Sequence, residues 1–202
     1  LDGMVELAKK IMDLAYSKGK RGFKVNLSVA NFVPKPYTPF QWVPQDTPEE
    51  FERKHYYLKD RVRNIKGVTL HYHGSYESHL EAIFARGGRE LSRTLELAVE
   101  KGCCFDSWTE GFKEDAWKEA LAESGIGEDY YGLRGLPLDA ALPWSVIDAG
   151  ITEEFLLREY KKSVKAETTE DCRHYCNGCG INRYVECRQC GVLKDAERTY
   201  SV

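Results

Sequence analysis

No stretch of this chain approaches the roughly 18 consecutive apolar residues that span a bilayer, which argues against a membrane helix. The start also lacks the basic segment followed by an apolar run that marks a secretory leader. Nor does one sign of charge dominate. Against 29 Lys and Arg stand 32 Asp and Glu, a net −3 that gives no overall electrostatic case for nucleic acid. Internal repeats and low-complexity segments are missing, which excludes a solenoid. What remains is 202 residues, 42% hydrophobic and 30% charged, an ordinary composition for one or two globular domains. The expectation is a soluble cytoplasmic protein with no membrane partner.

Leu1, not Met, opens the chain, and Leu1-Asp2-Gly3 runs directly into a helical pattern. This predicts a piece of a longer protein whose upstream portion is its first partner. Met4, Ala8, Ile11, Met12 and Ala15 have helical spacing over 3–18, with Asp2 as cap and Gly19 just past the end. Over 23–33 the period changes to two: Phe23, Val25, Leu27 and Val29 alternate with smaller or polar residues, as in a strand. Pro34, Pro36 and Pro39 then forbid sheet pairing and force an extended loop. Thr47-Pro48-Glu49-Glu50 is a capping box with proline at the first helical position, and it predicts a helix over 48–64. A second strand follows at 67–73.

This order, helix–strand–helix–strand, suits a parallel sheet or a (β/α) barrel, here with an open edge. Beyond residue 75 the strand signal vanishes. Helices are expected at 77–86, 89–101, 112–124 and 153–164, with a turn-rich stretch at 126–150. Cys103 and Cys104 read as buried small hydrophobes. Trp108, Trp117, Tyr130, Tyr131 and Trp144 read as helical core, not base-stacking platforms. His71 and His73, two apart on a strand, share a face; that spacing suits metal chelation, but solvated strand positions fit them better.

Five of the seven cysteines crowd the end, at Cys172, Cys176, Cys179, Cys187 and Cys190. An odd total is a poor disulfide framework, so a tight cluster favours metal. Cys176/Cys179 and Cys187/Cys190 are two Cys-x2-Cys pairs followed by glycine, and together they supply four thiolates for tetrahedral zinc. Parsed differently, Cys172-x3-Cys176-x2-Cys179 gives three ligands of an iron–sulfur cluster, with Cys187 or Cys190 as a fourth. Only 23 residues follow Cys179, too few for a barrel, so this triad would serve an accessory cluster.

Ser28–Trp42 reads Ser-Val-Ala-Asn-Phe-Val-Pro-Lys-Pro-Tyr-Thr-Pro-Phe-Gln-Trp. It resembles the late barrel strand and exit loop of radical S-adenosylmethionine (radical SAM) proteins that carry an N-terminal B12-binding domain. More narrowly, it is similar to a large bacterial family with a Phe-Val-Pro-Lys-Pro-x-Thr-Pro-Phe-Gln-Trp loop. The likeness continues through Glu81–Arg89, Gly102–Trp108, Leu142–Asp148, Glu154–Glu159 and Asp171-Cys172-Arg173…Cys176…Cys179-Gly180, nearly the whole chain.

The resemblance implies an α/β fold in three parts. These are the C-terminal part of a partial barrel (1–74), a helical subdomain (75–165) and a Cys-rich metal-binding tail (166–202). It also implies an intact parent that cleaves S-adenosylmethionine at a [4Fe–4S] cluster, with cobalamin as a further cofactor, on a substrate the family does not name. The initiating cluster motif and the B12 domain are not in this sequence, so this piece is not expected to act alone. Asn26, Ser28 and Asn31, on or just past the strand at the end where barrel active sites gather, and Lys35 on the following loop are the candidate cofactor-binding residues. The alternative is a zinc-knuckle module contacting RNA or a protein. Between Arg158 and Arg198, nine Lys and Arg face seven Asp and Glu, and RNA binding calls for a clearer basic excess.

Overall fold

The computed structural model describes residues 1–108 and 110–184. Its elements are α1 (Asp2–Ser17), β1 (Val25–Val29), α2 (Pro48–Val62), β2 (Val68–Tyr72), α3 (Ser75–Arg86), α4 (Ser92–Glu100), α5 (Glu114–Glu123), α6 (Glu128–Gly132) and α7 (Glu153–Val164). Short 3-10 turns stand at Arg89–Leu91 and Ile181–Arg183. The mixed α/β class holds. Among the described residues the sheet has two strands, and no barrel closes. No described helix is long and apolar enough to cross a membrane.

The chain packs as two units, one of Leu1–Val33 with Pro44–Arg134, the other of Pro34–Val43 with Gly135–Val202. In the first, β1 and β2 run parallel, with Val25 opposite Val68, Leu27 opposite Leu70 and Val29 opposite Tyr72. Helix α2 is the crossover that a parallel pair requires. Its start follows from the sequence: Pro48 leads the helix, and the Thr47 side chain accepts the Glu50 N–H at 3.2 Å. Leu58 and Val62 of α2 and Val5 of α1 pack on Leu27, Val29, Val68 and Leu70, so both helices cover one face of the sheet.

Two details of α1 differ from expectation. Asp2 lies inside the helix, and Leu1 holds the cap position without a side-chain bond. The Asp2 carboxylate instead accepts the Tyr57 hydroxyl at 2.6 Å and stands 3.8 Å from Arg61, both on α2. The buried stripe is Val5, Ala8, Met12 and Ala15, whereas Met4 and Ile11 are exposed.

A second core in this unit joins α3, α4 and α5 through Leu80, Ile83, Leu97, Ala98, Trp117 and Leu121. Ile83 and Leu121 are fully buried, and truncating either to Ala is worth about 2–5 kcal/mol. Cys103 joins this core while Cys104 is exposed, so only the first behaves as a buried hydrophobe. Trp108 and Tyr130 are likewise exposed rather than core, and Tyr130 carries the Arg134 guanidinium 3.7 Å above its ring.

The second unit has its own core of Trp42, Leu142, Trp144 and Leu156, with Tyr37, Ile151, Phe155 and Tyr160 packed around it.

Candidate functional site

Strand alternation sends Val25, Leu27 and Val29 toward the helices and Asn26 and Ser28 to the opposite face. Register sets Asn26 beside Thr69 and Ser28 beside His71. All four side chains are exposed, giving a polar face bare of helices.

Asn31, just past the end of β1, is committed to the protein. Its amide nitrogen donates to Ser78 Oγ at 2.9 Å and to the His73 and Gly74 carbonyls at 3.2 and 3.3 Å. Its Oδ1 meets His55 Nε2 at 2.8 Å. His55 is buried and stacked on Tyr72 with ring centroids 4.1 Å apart, and burial pushes its pKa down. Asn31 therefore ties the strand end to α2 and α3. Lys35 belongs to the second unit, so the four candidates do not fall in one packed body. His71 and His73 are both exposed, as solvated positions would be.

Beside this network the first unit holds a cleft of about 1520 Å³ that the sequence did not reveal. It opens at the C-terminal end of β2, where parallel sheets place their sites, and the uncapped N-terminus of α3 lies in it. Its walls carry eight carboxylates, among them Glu49, Glu52, Glu114 and Glu128, against Lys118 as the one lysine or arginine of the described lining. Tyr76 and His79, one turn apart on α3, are both buried. His79 Nε2 stands 3.9 Å from Glu128 Oε2. Desolvation lowers the His79 pKa, with Glu128, Asp129 and Glu49 opposing, so the ring is neutral near pH 7. Among the described residues the buried Tyr76 hydroxyl has no hydrogen-bond partner of normal geometry, and desolvation first, then nearby Glu128, raises its pKa. A neutral imidazole beside a carboxylate can accept a proton, and acidic walls favour a cationic group. The available signal was a Tyr–His pair at i, i+3 on a helix face shared with Leu80 and Ile83.

In the second unit the proline-rich loop folds against Leu142–Asp148. The buried Gln41 accepts from Trp144 Nε1 at 2.9 Å and from the Tyr37 N–H at 3.0 Å. The Tyr37 hydroxyl reaches the Trp144 and Ile147 carbonyls at 2.5 and 2.7 Å, holding Tyr37 at a φ of 58°. Two separate motifs thus wall a hollow of about 310 Å³.

The tail begins to fold onto α7. The Thr152 N–H donates to the Cys179 carbonyl at 2.9 Å, and Arg158 to the Asn177 carbonyl. Gly178 and Gly180, at φ of 63° and 100°, allow the tight path around Cys179. Cys172 is exposed, while Cys176 and Cys179 are half-buried. Among the described residues no three His, Cys, Asp or Glu side chains form a group placed to hold a metal. Cys176 and Cys179 lie in this turn, and Cys187 and Cys190, the other pair expected from the sequence, lie outside the described residues.

No family model matches the chain, and neither a curated protein nor a solved structure matches it significantly.

Proposed function

We propose that the chain is the C-terminal portion of a radical SAM enzyme, 1–74 contributing to its barrel wall, 75–165 a helical subdomain and 166–202 a metal-bearing tail. One observation carries this reading. Two parallel strands hold α1 and α2 on one face and present Asn26, Ser28, Thr69 and His71 on the other. A barrel wall has this layout, with helices outside and polar side chains turned to the chamber. The packing of the Pro34–Val43 loop on Leu142–Asp148 adds support, because both segments belong to the resemblance.

In this reading Asn26 and Ser28 offer hydrogen bonds to the cofactor and Lys35 a cation, while Asn31 holds the strand end in place. The parent's [4Fe–4S] cluster would supply the electron that cleaves S-adenosylmethionine. This chain holds no initiating motif.

The test is the intact protein, purified anaerobically and given S-adenosylmethionine and dithionite. Release of methionine and 5′-deoxyadenosine is expected, together with weaker S-adenosylmethionine binding in Asn26→Ala/Ser28→Ala. A reading frame without a Cys-x3-Cys-x2-Cys loop ahead of Leu1, or no cleavage, overturns the proposal.

The second reading, a zinc-knuckle module, has the docked Cys176–Gly180 turn in its favour. One bound zinc per chain without S-adenosylmethionine cleavage would support it.

A further inference from the structure

We propose that the acidic cleft of the first unit is a docking groove for a basic peptide, an extended segment of a partner protein that lays lysine or arginine side chains between its carboxylates. In either functional reading of the chain the groove is the same, since it uses none of the residues of the polar strand face or the tail.

Eight carboxylates line the cleft against Lys118 as the one lysine or arginine of its described lining. Walls of one sign in a low-dielectric groove focus a potential that draws in the opposite charge. The positive end of α3, which would oppose a cation, is covered. Glu77 Oε2 lies within 2.0 Å of where a Cβ on Gly74 would stand, and Glu52 accepts the Ser75 hydroxyl.

A second observation is independent of that charge. Tyr76 is 8% exposed and lines the cleft, yet among the described residues its hydroxyl has no hydrogen-bond partner of normal geometry. The hydroxyl lies on the side of Glu128, another lining residue. A buried phenol without a partner is costly. An N–H donor placed between Tyr76 Oη and the Glu128 carboxylate bonds both.

The chemistry of the walls selects the cation. It is organic, because Tyr76, Phe84, Phe112 and Trp117 line the cleft with rings. Lys118 already holds its ammonium 4.7 Å above the Tyr76 ring and 2.6 Å from Glu114. A partner's lysine seats in the same way, methylenes on apolar surface and ammonium on rings and carboxylates. It also carries several charges in a row. Among the described residues no three His, Cys, Asp or Glu side chains converge to hold a metal, so the carboxylates are spread along the walls. Finally, it is long. At about 1520 Å³ the cleft exceeds the roughly 300–1,000 Å³ of small-molecule sites, which suits a stretch of polypeptide better than a free polyamine. Phe105 and Trp108, which flank the lining residues Asp106 and Ser107 in sequence, are 79 and 67% exposed, and aromatic rings of this kind anchor protein partners.

Calorimetric titration of the whole chain with hexalysine tests the groove. One peptide per chain is expected, with an affinity that falls as salt rises. Tyr76→Phe, which removes only the hydroxyl, and Glu49→Gln/Glu128→Gln should each weaken binding by about fivefold or more. Lys118→Gln should strengthen it by about threefold, because the ammonium now on the Tyr76 ring is gone, and misfolding cannot produce a gain. Glu6→Gln/Asp13→Asn takes the same two charges from α1 and should leave binding unchanged. No binding, or a loss in the α1 variant equal to that in the cleft variants, overturns the proposal. So does a Lys118→Gln variant that binds no better. Spermine that binds more tightly than hexalysine overturns it in favour of a free polyamine. Displacement of hexalysine by magnesium at equal charge overturns it in favour of general counter-ion attraction.

Discussion

Asn31 Oδ1 stands 2.8 Å from Nε2 of His55, and the same amide bonds Ser78 and two carbonyls beyond β2. One half-buried side chain thus joins two strand ends and two helices. Asn31→Ala leaves the His55 nitrogen and Ser78 without that partner. A loss of about 1–3 kcal/mol is expected, read as a lower urea midpoint with an unchanged slope. Asn31→Leu, which fills the space but bonds nothing, should be no better.

His55 and His79 give the first unit a pH dependence of known sign. Burial lowers both pKa values below 6.5 in the folded state. Below that value the unfolded chain takes up protons that the folded chain refuses, so stability is full above pH 6.5 and declines as pH falls from there toward the lowered folded values. Urea midpoints measured from pH 7.5 to 5 should therefore drop. His79→Gln should flatten the curve, and an unchanged curve in that variant would show that His79 stays neutral in neither state or both.

How far the sequence led depends on the physics of each feature. The Thr47 cap, the parallel strands and the limits of α2 were legible because they follow from local chemistry and period. The inner face of α1 was not, since Met4/Ile11 and Val5/Met12 have equal spacing and only the partner decides which is buried. Helix α6 was missed because five residues ending in glycine carry no period. The Asn31–His55–Ser78 network and the cleft arise from residues far apart in the chain, which no local pattern records. Asn26 and Ser28 fall on the exposed face because the period-two pattern turns Val25, Leu27 and Val29 inward, whereas Asn31 spends its bonds on the protein.

Gln41 governs the second unit. Its Oε1 serves the indole N–H of Trp144 and the backbone N–H of Tyr37, both beside the buried core. Gln41→Leu leaves two buried donors unpaired, which predicts a loss of about 2–4 kcal/mol. Tyr37→Phe removes one hydroxyl whose carbonyl acceptors are nearer solvent, and about 1 kcal/mol is expected. Trp144 fluorescence during urea unfolding separates the two variants. Equal losses would show that the indole bond contributes nothing beyond packing.

Gly180 takes a left-handed backbone immediately after Cys179. At a φ of 100°, a Cβ there would lie 2.7 Å from Thr152 Cγ2 and 3.3 Å from the Gly150 carbonyl. Gly180→Ala therefore costs about 1–2 kcal/mol for the left-handed backbone alone, and the contact with Thr152 adds to it. The bond most exposed to that strain is Thr152 N–H to the Cys179 carbonyl, which holds the Cys-x2-Cys turn on α7. If Cys176, Cys179, Cys187 and Cys190 share one centre, the bound ion ties down a segment that has little apolar core of its own. Anaerobically purified protein should then hold either one zinc per chain without acid-labile sulfide, or several irons per chain with a matching amount of it. Cys172→Ser tells these apart further, since zinc on the two Cys-x2-Cys pairs tolerates it and a cluster on the Cys172 triad does not. Gly180→Ala should weaken retention about tenfold, the equivalent of about 1.4 kcal/mol, in competition with a chromophoric chelator. Protein that holds neither metal, or a Gly180→Ala variant that holds it as tightly as the parent, would show that the docked turn does not shape a metal centre.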